Sequence, residues 1–301
     1  MIQPKISATT KPTAGTSGEA AKQREFLFTD EDFERVRKLI YERAGISLAP
    51  IKRDMVYSRL ARRLRALGFE RFGDYLGFLI SPAGEEEWEL FVNSLTTNLT
   101  SFFREAHHFD ILQRHMAALK QRPIRIWCSA ASTGEEPYTL AIAACEAFGS
   151  MTPPVEIVAS DIDTNVLAKA QRGVYPAERV ERLSPERLRR FFLKGTGAQA
   201  GMVRVRSELQ KLISFTRVNL LDARYPINGP FDVMFCRNVM IYFDKPTQYE
   251  ILKKFVPLLK QDGLLFAGHS ESFLHAADLF HSLGRTVYER ADRPVRSPRL
   301  T

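Results

Sequence analysis

Apolar side chains recur at three- and four-residue intervals through the first third of the chain. After that they gather into short unbroken runs, so the period changes near residue 124. Phe33, Val36, Leu39 and Ile40 define a first amphipathic helix, with Thr29 or Asp30 at its start and Gly45 at its end. A second helix is predicted over about 51–67. Val56, Leu60, Leu64 and Leu67 share one face, while Lys52, Arg59, Arg62 and Arg63 fall within an arc of about 100° on the other. Gly68 ends it. Shorter helical patterns follow at 75–80 and 88–95.

From Ile124 strands alternate with helices. Strands are predicted at 124–129, 155–160 (closing at Asp161), 231–236, 264–268 and 286–289, and helices at 135–148, 164–171 and 246–259. This rhythm predicts an α/β fold: a Rossmann-like, mostly parallel sheet with helices on both faces. Between Gly195 and Val218 the period drops to two, in Met202-Val-Arg-Val-Arg and Leu212-Ile-Ser-Phe-Thr-Arg-Val, which reads as a small antiparallel β-insertion. Residues 1–24, small and polar, read as a disordered tail. A basic helical domain is expected over 25–95 and an α/β domain over 96–292, with the β-insertion at about 195–218 and a C-terminal tail over 293–301.

Composition narrows the class. At 45% hydrophobic and 26% charged over 301 residues, the chain has enough apolar content for packed cores. Met1 to Gly18 lacks the apolar run of a secretory signal, and no stretch approaches the roughly 18 apolar residues of a membrane span. A soluble cytoplasmic protein is expected, without membrane insertion. Cys128, Cys145 and Cys236 are scattered, with no CxxC pair, so neither a disulfide framework nor a metal site is expected. A net charge of +8 suggests an acidic partner.

In an open parallel sheet, ligands bind beyond the carboxyl ends of the strands. The loop after the first strand, Ser129-Ala-Ala-Ser-Thr-Gly-Glu-Glu-Pro-Tyr138, has one glycine and no lysine. Glu135 and Glu136 at the next helix start suit the helix dipole but repel a pyrophosphate. They point to a neutral or cationic ligand, or merely stabilise the helix. Asp161 at the second strand end suits the two hydroxyls of a ribose, or else caps the following helix, a role open also to Asp163. A phosphate-free adenosine with a positive group describes S-adenosylmethionine, whose methionine carboxylate calls for a donor such as arginine. Asn98-Leu-Thr-Ser-Phe-Phe-Arg104 reads either as a helix start capped by Thr100 or Ser101 or as part of a site. Arg237-Asn238 form a polar pair in an otherwise apolar segment, and so must be partnered or functional.

These segments together, with Ala159-Ser-Asp-Ile-Asp-Thr and Leu264-Leu-Phe-Ala-Gly-His-Ser-Glu-Ser, closely resemble the CheR family from about Phe26 to Arg290. These are bacterial chemotaxis protein-glutamate O-methyltransferases that use S-adenosylmethionine. The resemblance implies a helical N-terminal domain joined to a methyltransferase domain. It implies cofactor contacts at Asn98, Thr100, Arg104, Glu135, Asp161, Asn219, Leu220, Arg237 and Asn238. Asn219 is positioned to hold an adenine edge through its amide. The partners it implies are membrane-bound chemoreceptors: their glutamate-bearing methylation helices, complementary to Lys52, Arg59, Arg62 and Arg63, and in some members a C-terminal tail peptide. Gly195, Gly197 and Gly201 resemble the peptide-docking version of the β-subdomain, or form a plain hairpin. The enzyme would then be cytoplasmic and recruited to receptor arrays.

A glutamate carboxylate, with an ordinary pKa near 4.3, is already ionised at neutral pH, so methyl transfer to it needs alignment and desolvation rather than a general base. Arg104 and Tyr242 are the candidates for orienting the carboxylate, and Arg104 alternatively grips the cofactor's own carboxylate. His107 and His108 are adjacent and form a poor ligand pair; His269 reads as structural support near the pocket. Two rivals remain: a nucleic-acid methyltransferase and a non-catalytic receptor-binding adaptor. Neither the Asp/Asn-Pro-Pro-aromatic motif nor the Pro-Cys nucleophile of base methylation occurs, so no nucleic-acid partner is expected. The intact cofactor motifs argue against the adaptor.

Overall fold

The computed structural model describes residues 24–292; of the expected tails, 1–23 and 293–301 lie outside the described residues. Four helices build the N-terminal part: α1 (Asp30–Ala44), α2 (Arg53–Leu67), α3 (Phe72–Leu79) and α4 (Glu87–Leu95). Thr29 caps α1 in a capping box with Asp32, and Gly45, left-handed at φ 69°, ends it. Val36, Ile40, Leu60, Leu64, Phe72, Tyr75, Leu76 and Phe91 pack into a core of their own.

The second part follows in chain order as α5 (His107–Ala118), β1 (Ile124–Cys128), α6 (Glu135–Phe148), β2 (Val155–Asp161) and α7 (Thr164–Arg172). Next come β3 (Val174–Pro176), α8 (Pro185–Phe191), β4 (Phe192–Lys194), β5 (Met202–Val205), α9 (Ser207–Gln210) and β6 (Ile213–Arg217). The last elements are β7 (Phe231–Cys236), α10 (Lys245–Phe255), β8 (Leu259–Ala267), β9 (Phe280–Gly284) and β10 (Val287–Arg290). The main sheet has seven strands in the order β6-β2-β1-β7-β8-β10-β9, all running the same way except β10, which is antiparallel to both its neighbours. Alternate residues of β1 feed the cores on opposite faces: Ile126 and Cys128 on one, Trp127 on the other. Strand order reverses between β1 and β7, the position where doubly wound sheets open a ligand crevice.

Two expectations about strands need correction. Leu212–Val218 is not part of the β-insertion: β6 runs parallel to β2 in the main sheet, with Ile157 opposite Ile213 and Asp161 opposite Arg217. Its mixed polar pattern reflects an edge strand, one side of which faces solvent. The small antiparallel sheet is instead β3-β5-β4, reaching back to Val174. β9, too polar to register as a strand, pairs with β10 to close the far edge. Thr100 and Ser101 cap no helix: 101–106 is irregular, with Phe103 and Glu105 left-handed, and α5 begins only at His107.

Candidate functional site

A cleft opens where the helical domain meets the strand ends. Ala44, Ile46, Leu95, Thr96 and Thr97 form its helical-domain wall; the ends of β1, β2, β6 and β7 contribute Ser129, Ala130, Ser132, Asp161, Ile162, Val218–Leu220 and Arg237–Val239. The two parts are tied beside it. Ser47 N–H donates to the Tyr242 carbonyl at 2.8 Å, and Tyr41 Oη donates to Asp244 Oδ2 at 2.7 Å. Gly45 permits this approach, since a Cβ there would lie 2.9 Å from Leu221 Cδ2 and 3.0 Å from the Phe243 ring.

Asp161 stands at the carboxyl end of β2, 8% exposed. Oδ2 accepts from Ser132 N at 2.8 Å and Oδ1 from Asp163 N at 3.0 Å, so each oxygen retains acceptor capacity. Burial pushes its carboxyl up to about 6, against the backbone donors that favour the anion. The helix cap is Asp163: Oδ1 accepts from Asn165 N and Val166 N, while Oδ2 takes Thr96 Oγ1 and Asn98 Nδ2, both at 3.0 Å. Asp161 is thereby left to the cleft.

Arg237, buried, is held between two carboxylates: Nη1 donates to Glu136 Oε2 at 2.9 Å and Nη2 lies 3.2 Å from Glu105 Oε2. Its Nη2 also donates to the Arg104 carbonyl, and Nε has no hydrogen-bond partner among the described residues. Burial pushes Glu136 up, with Arg237 opposing. For Glu105 burial acts in the same direction, but Arg237 and His269 outweigh it and hold the carboxyl at about 2. His269, exposed, meets Glu105 Oε1 through Nδ1 at 3.1 Å. His108 is fully buried on the Arg285 carbonyl at 2.9 Å, and burial with the nearby Arg237 drives it down to about 4.

The other expected contacts divide. Asn98, Thr100, Arg104, Asp161, Asn219, Leu220, Arg237, Asn238 and Tyr242 all line the cleft. Glu135 does not. Its carboxylate turns to Arg179 at 2.7 Å and Thr133 at 2.6 Å, fully buried, and the cleft wall is formed by the next residue, Glu136. Asn219 is already engaged, Nδ2 with the Arg43 carbonyl and Oδ1 with Leu221 N, both at 3.0 Å, so its amide first joins the two domains.

The basic face of α2 is also less free than its spacing suggests. Arg63 is bound to buried Glu87, and Arg59 donates to the Ser94 and Thr96 carbonyls at the end of α4. Lys52 and Arg62 remain exposed. Gly195 accommodates the chain's own turn, because a Cβ there would lie 2.1 Å from the Gln199 carbonyl oxygen; Gly197 and Gly201 adopt φ 55° and 83°.

Sequence reasoning passed over Glu105 and Glu271. The carboxylate of Glu271 accepts from four backbone N–H groups: Asn238 at 2.9 Å, Val239 at 3.0 Å, Met240 at 2.8 Å and Gly268 at 2.5 Å. The only signal for it was its place in the His269-Ser-Glu-Ser segment.

The donor set fits one chemistry. Arg237 with Glu136 and Glu105 sums to one net negative charge, Asp161 adds another when ionised, and Arg104, also on the cleft, offsets one of them. Ala44, Ile46, Leu95, Ile162 and Val218 supply an apolar slot for a base, and the β1–α6 loop lacks a glycine cradle for phosphate. A cationic, phosphate-free nucleoside suits this pocket, and the crevice at the reversal of strand order is that of S-adenosylmethionine-dependent methyltransferases.

Comparison with known proteins specifies the class. Residues 98–289 match the CheR methyltransferase SAM-binding domain, and residues 31–96 match the CheR methyltransferase all-alpha domain. The chain belongs to the CheR methyltransferase family. It is 53% identical over 277 residues to the chemotaxis protein methyltransferase of Salmonella typhimurium, covering 92% of this chain and 96% of that protein. It is 55% identical over 260 residues to the chemotaxis protein methyltransferase of Escherichia coli, covering 86% and 91% respectively. Chemotaxis protein methyltransferase 2 of Pseudomonas aeruginosa is 54% identical over 272 residues, with 89% of this chain and 96% of that protein covered. S-adenosylmethionine is the cofactor. Among the described residues no helix is long and apolar enough to cross a membrane.

Proposed function

We propose that this enzyme transfers a methyl group to glutamate carboxylates on the cytoplasmic helices of chemoreceptors, giving methyl esters that adapt the sensory response. One juxtaposition carries the reading: Arg104 and Tyr242 line the same cleft as the carboxylates that suit a sulfonium. Burial raises the Tyr242 phenol, so at neutral pH it is a neutral O–H donor for an incoming anion. When bound, S-adenosylmethionine supplies an electrophilic methyl group. The chain's own part is to hold the ribose at Asp161, counter the positive charge with Glu136 and Asp161, and orient the acceptor through Arg104 and Tyr242. It also keeps water from the anion by closing the helical domain over the strand ends. Asn98, Thr100, Leu220 and Asn238 complete the nucleoside walls in this reading.

Exposed Lys52 and Arg62 offer charge to an acidic receptor helix, with Arg59 half-buried beside them. The small sheet leaves β3 and β4 as open edges, with Leu193 exposed outward on β4, which suits addition of an extended receptor-tail strand. In this reading the two surfaces recruit the enzyme to receptor arrays.

The test is transfer of labelled methyl groups to receptor cytoplasmic fragments, with and without Glu-to-Gln replacement of their methylation sites. Base-labile label on the Glu form and none on the Gln form is expected. Label confined to nucleic acid, or absent throughout, refutes the reading. Calorimetry with receptor C-terminal peptides, with and without S-adenosylhomocysteine, tests docking on the small sheet.

A further inference from the structure

Asn238 and Tyr242 enter the cleft from one connection, the loop and short 3-10 turn between β7 and α10. Asn238 is left-handed at φ 58°, a conformation that asparagine adopts more readily than other side-chain-bearing residues. The connection is held from two sides. Glu271, 5% exposed and beyond the end of β8, accepts from three consecutive N–H groups, those of Asn238, Val239 and Met240, and from Gly268 N–H. From α10, buried Gln248 donates through Nε2 to the carbonyls of Met240 at 2.9 Å and Phe243 at 3.0 Å.

Gly268 completes the fit. A Cβ there would lie 2.4 Å from Asn238 Nδ2 and 2.9 Å from Glu271 Oε2. Three successive N–H groups converging on one point form an anion-binding concavity, filled here by a side chain of the protein itself. Only an anionic group offers acceptors to all four donors at once; a carboxamide turns its NH₂ toward them.

We propose that Glu271 is a positioning residue for methyl transfer, holding the segment from Asn238 to Tyr242 so that both side chains face the cleft. The Tyr242 half of this rests on the acceptor orientation proposed above; the Asn238 half does not. Glu271 does not line the cleft; it acts through the backbone of residues that do.

The test combines turnover with amide hydrogen exchange, in the full chain. Glu271→Gln is expected to lower kcat by about tenfold or more, with a smaller change in the KM for S-adenosylmethionine. Tyr242→Phe in the Glu271→Gln background should cost less than it does alone, because the two act through the same group. Faster exchange should be confined to the amides of 238–240. A merely structural role would instead lower the active fraction at constant KM and raise exchange across the sheet. In the unsubstituted enzyme those three amides should exchange far more slowly than the exposed turn at 195–201, so the proposal stands or falls even if the variant does not fold. Turnover within about twofold of wild type in Glu271→Gln, or turn-like exchange at 238–240, overturns it. If the acceptor reading fails, no methyl ester forms with any variant, yet exchange and S-adenosylhomocysteine affinity still report on Glu271.

Discussion

Arg63 reaches from α2 to the buried carboxylate of Glu87 on α4, Nε to Oε1 at 2.8 Å and Nη2 to Oε2 at 2.7 Å. Tyr75 Oη donates to the same carboxylate at 3.0 Å, so a residue that looks like part of a docking face is a clamp inside the helical domain. Removing Arg63 leaves Glu87, 5% exposed, without its cation. Arg63→Ala should therefore destabilise the protein by about 3 kcal/mol, whereas Arg62→Ala, at an exposed position, should cost less than about 0.5 kcal/mol. Urea denaturation of the two variants checks this. Equal effects would refute the clamp. A charge-reversal study of receptor association is best built on Lys52 and Arg62.

Asp161 couples nucleoside affinity to pH. Its folded pKa of about 6 lies above the ordinary 3.8, so between these values the folded state holds the extra proton. The stability this contributes is complete below 3.8 and lost as pH rises through about 6. Ribose hydroxyls donate to the anion and reverse the preference, so binding releases a proton near pH 6. Affinity for S-adenosylhomocysteine should fall as pH drops through about 6, approaching tenfold per unit well below it, and Asp161→Asn should bind weakly with a flatter profile. Calorimetry from pH 5 to 8 in buffers of different ionisation enthalpy reads both the affinity and the proton.

Local patterns made much of this legible. The helical spacing of Phe33, Val36 and Ile40, the buried runs of β1, β2 and β7 and the position of Asp161 at a strand end each follow from neighbours in sequence. What escaped depends on distant partners. Nothing near Glu135 says that Arg179 claims it while Glu136 faces the cleft, and nothing near Arg63 reveals Glu87. The alternation of β6 points to the wrong sheet because an edge strand alternates as an antiparallel strand does. The helical-domain wall of Ala44, Ile46 and Leu95 had no signal at all, since those residues read as ordinary helix ends.

Gly195 tests whether the small sheet's turn is a steric requirement. A methyl group there meets the Gln199 carbonyl oxygen at 2.1 Å, a backbone atom that cannot rotate away. Gly195→Ala should open the β4–β5 turn, speeding proteolysis between 195 and 201, while S-adenosylhomocysteine affinity stays within about twofold because the cleft lies on the main sheet. Unchanged proteolysis would show that the turn relaxes readily. Loss of receptor-tail binding in the same variant would connect the turn to docking.

Arg104 separates catalysis from folding. Its guanidinium is half-exposed and donates to the Leu99 carbonyl at 3.0 Å, while its backbone carbonyl accepts from Arg237 and survives truncation of the side chain. Arg104→Ala should accordingly cost about 1 kcal/mol or less in stability. Turnover should fall at least about tenfold, because the buried guanidinium in the cleft, Arg237, is already committed to Glu136 and Glu105. Urea denaturation and labelled-methyl incorporation measured on the same preparation check the two halves together. Titration with S-adenosylhomocysteine then assigns the loss. Weakened product binding places the guanidinium on the amino-acid carboxylate of the nucleoside; unchanged binding with reduced kcat/KM for the receptor places it on the incoming glutamate. Full turnover in Arg104→Ala would remove it from both.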